Sequence, residues 1–293
     1  MGGFSTGRTI TSAGGADQRS SVDNVTEGSS GATDAEHGMI DLRGKRALVT
    51  GAGTRVGAAI ATALGAQGMR VAVHHRSSHE GARAVCAAIE AAGGAAEPFA
   101  ADLADRGAAR ALVDAVVARF GGLDLLVASA ANFERVAFED VDDAAWDRTL
   151  NLNLASPFAL VQRARPALRE ARGAAIFVTC TSATVPYRHY LPYVVAKGAV
   201  QKMMRALALE LAPEIRVNAV APGTVLPPED LDEAMLARLA SRALLGRVGR
   251  AEDIAEAVVY LAQAPFVTGQ ELIVDGGRTV AAGGTRSDAD DPL

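Results

Sequence analysis

The sequence predicts a doubly wound α/β fold: one Rossmann-type domain with a seven-stranded parallel sheet and helices on both faces. Three observations carry this. Short β-rich runs alternate with helical runs from Lys45 to Gly277, no linker interrupts them, and a glycine-rich turn joins the first strand to the first helix. Strands separated by helices imply right-handed crossovers, hence parallel pairing with both sheet faces covered.

Composition bounds the rest. A chain of 293 residues admits one large α/β domain, and 49% hydrophobic residues suffice for its core. Ala and Gly are abundant and aromatics scarce, which suits close helix–sheet packing. The net charge of −5 is spread over mixed signs with no basic stripe, so nucleic acid is not an expected partner. Cys86 and Cys180 form neither a disulfide framework nor a metal cluster, and His74 and His75 lack CxxC or HExxH company. No uncharged apolar run reaches the roughly eighteen residues of a membrane span. The first twenty residues lack the apolar core of a secretory signal, so a cytoplasmic protein is expected. Residues 1–38 read as a disordered extension or an upstream start, 39–280 as the folded domain, and 281–293 as a flexible tail.

The first strand, "KRALVT", runs into "TGAGTRVGAAIA", with glycines at Gly51, Gly53 and Gly57. These miss the strict G-x-G-x-x-G spacing. A glycine turn at a helix N-terminus still leaves N–H groups free for an anion such as a pyrophosphate; a plain tight turn is the alternative. The second strand, "MRVAVHH", ends in Arg76, Ser77 and Ser78, where an NAD site would carry an acid for the ribose hydroxyl. Arginine and serine suit a phosphate instead, which favours NADP(H), and Arg55 could approach the same phosphates.

"AEPFAADL" gives the third strand, with Asp102 after it. "LDLLVAS" gives the fourth and "AAIFVTC" the fifth, with one long helical stretch around Trp146–Arg172 between them. Next comes "PYVVAKGAVQKMMRALALELA", whose apolar residues recur at three- and four-residue spacing. Pro192 suits its first turn, and Tyr193 and Lys197 stand one turn apart on one face. "IRVNAVAP", the helix "EDIAEAVVYLAQ" and "QELIVDGG" complete the pattern.

A glycine turn, a basic second-strand end and Tyr193-x-x-x-Lys197, with Asp102, Asn153 in "NLNLASPF", "NAVAPG" and "VTGQELIVDGG" in order, resemble the short-chain dehydrogenase/reductases. The resemblance covers roughly Gly44–Thr279. It implies an NADP(H)-dependent enzyme in which Tyr193 supplies a proton, Lys197 lowers its pKa and holds the nicotinamide ribose, and Asn153 supports a water relay. A helix-kink amide for Asn153 and a loop cap for Asp102 stay open. A phenol titrates near 10, and a cation plus the nicotinamide charge would pull it toward working pH.

The implied cofactor contacts are Gly51, Thr54, Arg55, Val56, Gly57, His75, Arg76, Ser77, Asp102, Leu103, Ser129, Lys197, Pro222 and Gly223. Phe133, Ser182, Tyr187 and Tyr193 are the implied substrate contacts. Two departures stand out. Ala128-Ser129-Ala130-Ala131 replaces the family's Asn-Asn-Ala-Gly, and Cys180 occupies its serine position, with Thr181 and Ser182 close behind.

"TGAGTRVG", "HHRSS", Phe133 and "APFVTGQELIVDGGR" narrow the resemblance to the pteridine reductases, where an aromatic stacks on the pterin; here Phe133 is either that contact or loop packing. Cys180 and Ala131 break the branch's pattern. The expected function is therefore an NADPH-dependent reductase of a C=N or C=O bond in a small substrate such as a dihydropterin. A ketone or 3-oxoacyl reductase and a non-catalytic NADP(H) sensor are the alternatives. Residues 224–246 are expected to cover the substrate, and the family implies a homotetramer.

Overall fold

Runs of four to seven residues rich in Val, Leu, Ile and Ala are too short for stable helices but suit strands buried on both faces. The computed structural model describes Gly2, residues 38–226 and residues 231–282. The expected N-terminal extension falls almost entirely outside the described residues, as do 227–230 and the tail beyond Ala282.

The strands are β1 (Arg46–Val49), β2 (Arg70–His75), β3 (Ala95–Ala100), β4 (Leu125–Ala128), β5 (Ala174–Val178), β6 (Arg216–Pro222) and β7 (Glu271–Val274). All neighbours pair in parallel, in the order β3-β2-β1-β4-β5-β6-β7. The period of two then sorts the core. Ala47, Val49, Val71, Val73 and Val127 pack on one face against α1 (Arg55–Ala66), α2 (His79–Ala91) and α8 (Ala251–Gln263). Leu48, Ala72, Leu126 and Phe177 pack on the other, against α3 (Arg106–Phe120), α5 (Ser156–Glu170) and α6 (Leu191–Leu211).

Strand order reverses beside β1, whose neighbours β2 and β4 belong to opposite halves. A cleft is expected at the carboxyl ends there.

The stretch around Trp146–Arg172 holds two helices. α4 (Asp143–Leu150) passes through a π-turn at Asn151–Ala155 into α5. Pro157 brings no N–H for the carbonyl of Asn153, and the Ser156 N–H reaches Asn151 instead, widening the turn. The segment 224–246 holds α7 (Glu233–Ser241), capped by Asp232 accepting from the Met235 N–H at 2.7 Å. A short α9 (Arg278–Ala282) runs two residues past the expected end of the domain. Among the described residues no helix is long and apolar enough to cross a membrane.

Candidate active site

One cleft of about 1220 Å³ opens at the carboxyl ends of β1, β2, β4, β5 and β6. Its first wall is backbone. Gly51 has φ +65, and a Cβ there would lie 2.9 Å from the Ala130 Cα. At Gly57 a Cβ would lie 2.2 Å from the Gly51 carbonyl oxygen, so α1 starts where only glycine lets the turn fold onto it. Among the described residues no side chain caps α1 at Thr54, which leaves first-turn N–H groups facing the cleft. Thr50 closes the turn from behind, its hydroxyl accepting from the Ser129 N–H at 3.0 Å and the Ala130 N–H at 3.1 Å.

His74 ties this turn to the next strand. Gly51 donates to its Nδ1 at 3.0 Å, so Nε2 carries the proton and donates to the Ala101 carbonyl at 3.2 Å. Burial holds the imidazole neutral, with a pKa pushed down to about 4. Beside it, His75 is buried and packs edge-on against His79, and burial again lowers its pKa.

Thr54, Val56, His75, Arg76, Ser77, Leu103, Ser129, Pro222 and Gly223 all line the cleft, as expected from the sequence. No carboxylate stands at the end of β2. Asp102 also lines it, while accepting from the Ala104 N–H at 3.0 Å, the loop-cap geometry. Arg55 lines the cleft as well; at φ +54 its guanidinium donates to the Leu226 carbonyl.

The second wall is side chains. Pro192 opens α6, and Tyr193 and Lys197 point into the cleft from its first turns. Lys197 is 4% exposed and donates to the Val178 carbonyl at 2.8 Å, with Nζ 5.6 Å from the Tyr193 ring centroid. Burial lowers its pKa to about 8. Cys180 lines the cleft with Tyr193 and Tyr187, and its sulfur accepts from the Ser182 N–H at 3.4 Å. The pull on Tyr193 runs opposite to the expectation. Burial first, then Cys180, holds its phenol well above the usual 10.

Three further expectations change. The Asn153 amide is committed to Asn132: Oδ1 accepts from its N–H at 3.1 Å, and Nδ2 donates to its Oδ1 at 2.7 Å. That is the kink geometry, and Asn153 does not line the cleft. Ser182 does not line it either. It is buried beneath, its hydroxyl without a partner among the described residues, so Cys180 alone of the three candidates faces the cavity. Phe133 is 54% exposed, but its face lies on Tyr190, with centroids 4.1 Å apart and planes at 10°. Tyr187 is held by Thr181 at 2.8 Å, and its pKa is raised by burial to about 12.

Sequence reasoning missed the roles of His74, Tyr190 and Arg278. Tyr190 had a signal, standing three residues before Tyr193; the others had none.

The family model described as Enoyl-(Acyl carrier protein) reductase matches residues 51–279. A 3beta-hydroxysteroid dehydrogenase 1 of Eggerthella lenta is 38% identical over 252 residues, 83% of this chain and 97% of the relative. A 3-oxoacyl-(acyl-carrier-protein) reductase of Staphylococcus aureus is 36% identical, over 80% of this chain and 97% of the relative. The solved structure of a short chain dehydrogenase from Burkholderia cenocepacia J2315, in complex with NADP, is similar with TM-score 0.77 and 37% identity. It covers 82% of this chain and all of that one. The chain belongs to the short-chain dehydrogenase/reductase family.

Proposed function

We propose that the protein is an NADPH-dependent reductase that converts a ketone on a small substrate into a secondary alcohol. The observation that carries this reading is the meeting of Tyr193, Lys197 and Cys180 in one cleft with the glycine cradle. A dinucleotide fits that cradle. Side chains are absent where a pyrophosphate would approach Gly51 and Gly57, and Arg76 and Ser77 stand where an acid would repel a 2′-phosphate. NADPH, when bound, supplies the hydride.

The protein's own groups handle the proton. Burial keeps the Tyr193 phenol protonated at neutral pH, so it is a donor to a carbonyl oxygen becoming alkoxide. Lys197, an ammonium below about pH 8, faces the ring and stabilises the phenolate left behind. Asn153 acts on the relay through its carbonyl, which Pro157 cannot serve, and not through its amide. The Cys180 thiol orients the substrate oxygen as a weak donor.

A ketone is preferred to a dihydropterin because the Phe133 face that would hold a pterin already carries Tyr190. Offering ketones, 3-oxoacyl thioesters and dihydropterins with NADPH or NADH, and following nicotinamide absorbance, tests this. Ketones should turn over with NADPH preferred, and Arg76→Ala should remove the preference. Turnover of dihydropterin alone would reverse the choice of substrate.

A further inference from the structure

We infer that the substrate carries a carboxylate close to its ketone and that Arg278 receives it; this rests on the ketone-reductase reading. Arg278 opens α9, lines the cleft and is only part-exposed. One guanidinium nitrogen donates to the Thr224 hydroxyl, and its Cζ lies 5.6 Å from the Tyr187 ring centroid. Among the described residues it pairs with no carboxylate. The neighbouring Asp275 spends its oxygens on the N–H groups of Gly277 and Thr279, at 2.8 and 2.7 Å.

The position relative to the chemistry is short and continuous. Arg278 covers the Tyr187 ring, and Tyr187, Cys180 and Tyr193 line the same cleft. A ketone oxygen at Tyr193 therefore places the adjoining part of its substrate toward Tyr187 and Arg278.

The sign of the wall agrees. Among the described residues lining the cleft, Asp102 is the sole carboxylate, and it caps its own loop after β3. Arg238 on α7 and Arg242 just after it line the wall but are engaged within the protein. A part-buried guanidinium with one edge anchored on Thr224 keeps a second edge for a planar anion, and a carboxylate matches that fork. A phenol beside it, held protonated by burial, adds a donor and no competing negative charge.

Matched pairs test this on the full chain with NADPH: 3-oxohexanoate against its methyl ester, with 2-hexanone as neutral reference. The free acid should exceed the ester in kcat/KM by about ten- to a hundredfold, the range of a charge-assisted hydrogen-bond pair. Arg278→Leu should erase that ratio by lowering turnover of the acid alone. Thr224→Val, which loosens the same anchor but keeps the charge, should preserve most of the ratio; a purely structural role would make the two variants alike. An ester used as well as the acid, or Arg278→Leu slowing both equally, overturns the proposal. No turnover of acid, ester or 2-hexanone would instead defeat the ketone-reductase reading beneath it.

Discussion

The two ends of the cleft are made of different material. At the β1–α1 end the wall is backbone: Gly51 and Gly57 are fixed by contacts a single Cβ would violate, and Thr50 and His74 brace the turn through main-chain bonds. At the far end it is side chains from separate segments, with Cys180 after β5, Tyr193 and Lys197 on α6, and Arg278 on α9. A backbone wall tolerates little change. A side-chain wall can be rewritten one residue at a time, which is how specificity diverges on a shared fold.

The largest expected effect lies at the side-chain end, in the group proposed as proton donor. Tyr193→Phe keeps the ring and removes the hydroxyl, so kcat should fall by about a thousandfold while NADPH still binds. In the parent, reductive kcat/KM should decline above about pH 8. The Lys197 ammonium is present below its lowered pKa and lost above it. Normal turnover by the Phe variant would remove Tyr193 from the chemistry.

Next comes the backbone end. Gly57→Ala would place a methyl 2.2 Å from the Gly51 carbonyl oxygen, and strain of that kind costs about 3 kcal/mol. Urea unfolding and NADPH fluorescence titration should both register it, with binding weakened at least about tenfold. Unchanged values in both would mean that the turn has the freedom of a side-chain wall, and the contrast would collapse.

This contrast also explains what could be read from the sequence. All seven strands, their order of appearance and the glycine cradle were legible, because periodicity and glycine record backbone demands locally. Tyr193 and Lys197 were legible because one helical turn joins them. Which of Cys180, Thr181 and Ser182 faces the cavity was not, since a shift of one or two residues decides it. Nor was the π-turn, which depends on how Pro157 meets Asn153 within a helix that looks continuous. Arg278 escaped for a third reason: its partner, Thr224, lies far away in the chain.

His74 sharpens the comparison with a smaller effect. Its folded pKa of about 4 lies below the ordinary 6.5, so the neutral ring is the form that folding favours. Its contribution is complete above pH 6.5 and is lost as pH falls through 4, about 3 kcal/mol at the limit. Urea unfolding between pH 7 and 4 should show this loss in the parent and a flatter profile in His74→Gln, whatever the variant's absolute stability. Parallel profiles would mean that the ring does not brace the backbone end.

The smallest effect should be at Cys180, where the side-chain wall differs most from the family's pattern. Its sulfur faces the cavity beside Tyr193, so it is placed to meet a substrate oxygen, but a thiol donates weakly. Cys180→Ser should therefore raise ketone kcat/KM by no more than about fivefold, a few tenths to one kcal/mol for a better hydrogen bond. Cys180→Ala should lower it by a similar factor, with NADPH affinity untouched because the cradle lies elsewhere. Ser182→Ala should be silent in turnover, since that hydroxyl is buried away from the cleft. If Cys180→Ser and Cys180→Ala both match the parent, the sulfur is only apolar filling, and substrate orientation must come from Tyr187 and Tyr193. If instead Ser182→Ala abolishes turnover, the polar role lies at the buried Ser182, and the side-chain wall is less freely rewritten than its geometry indicates.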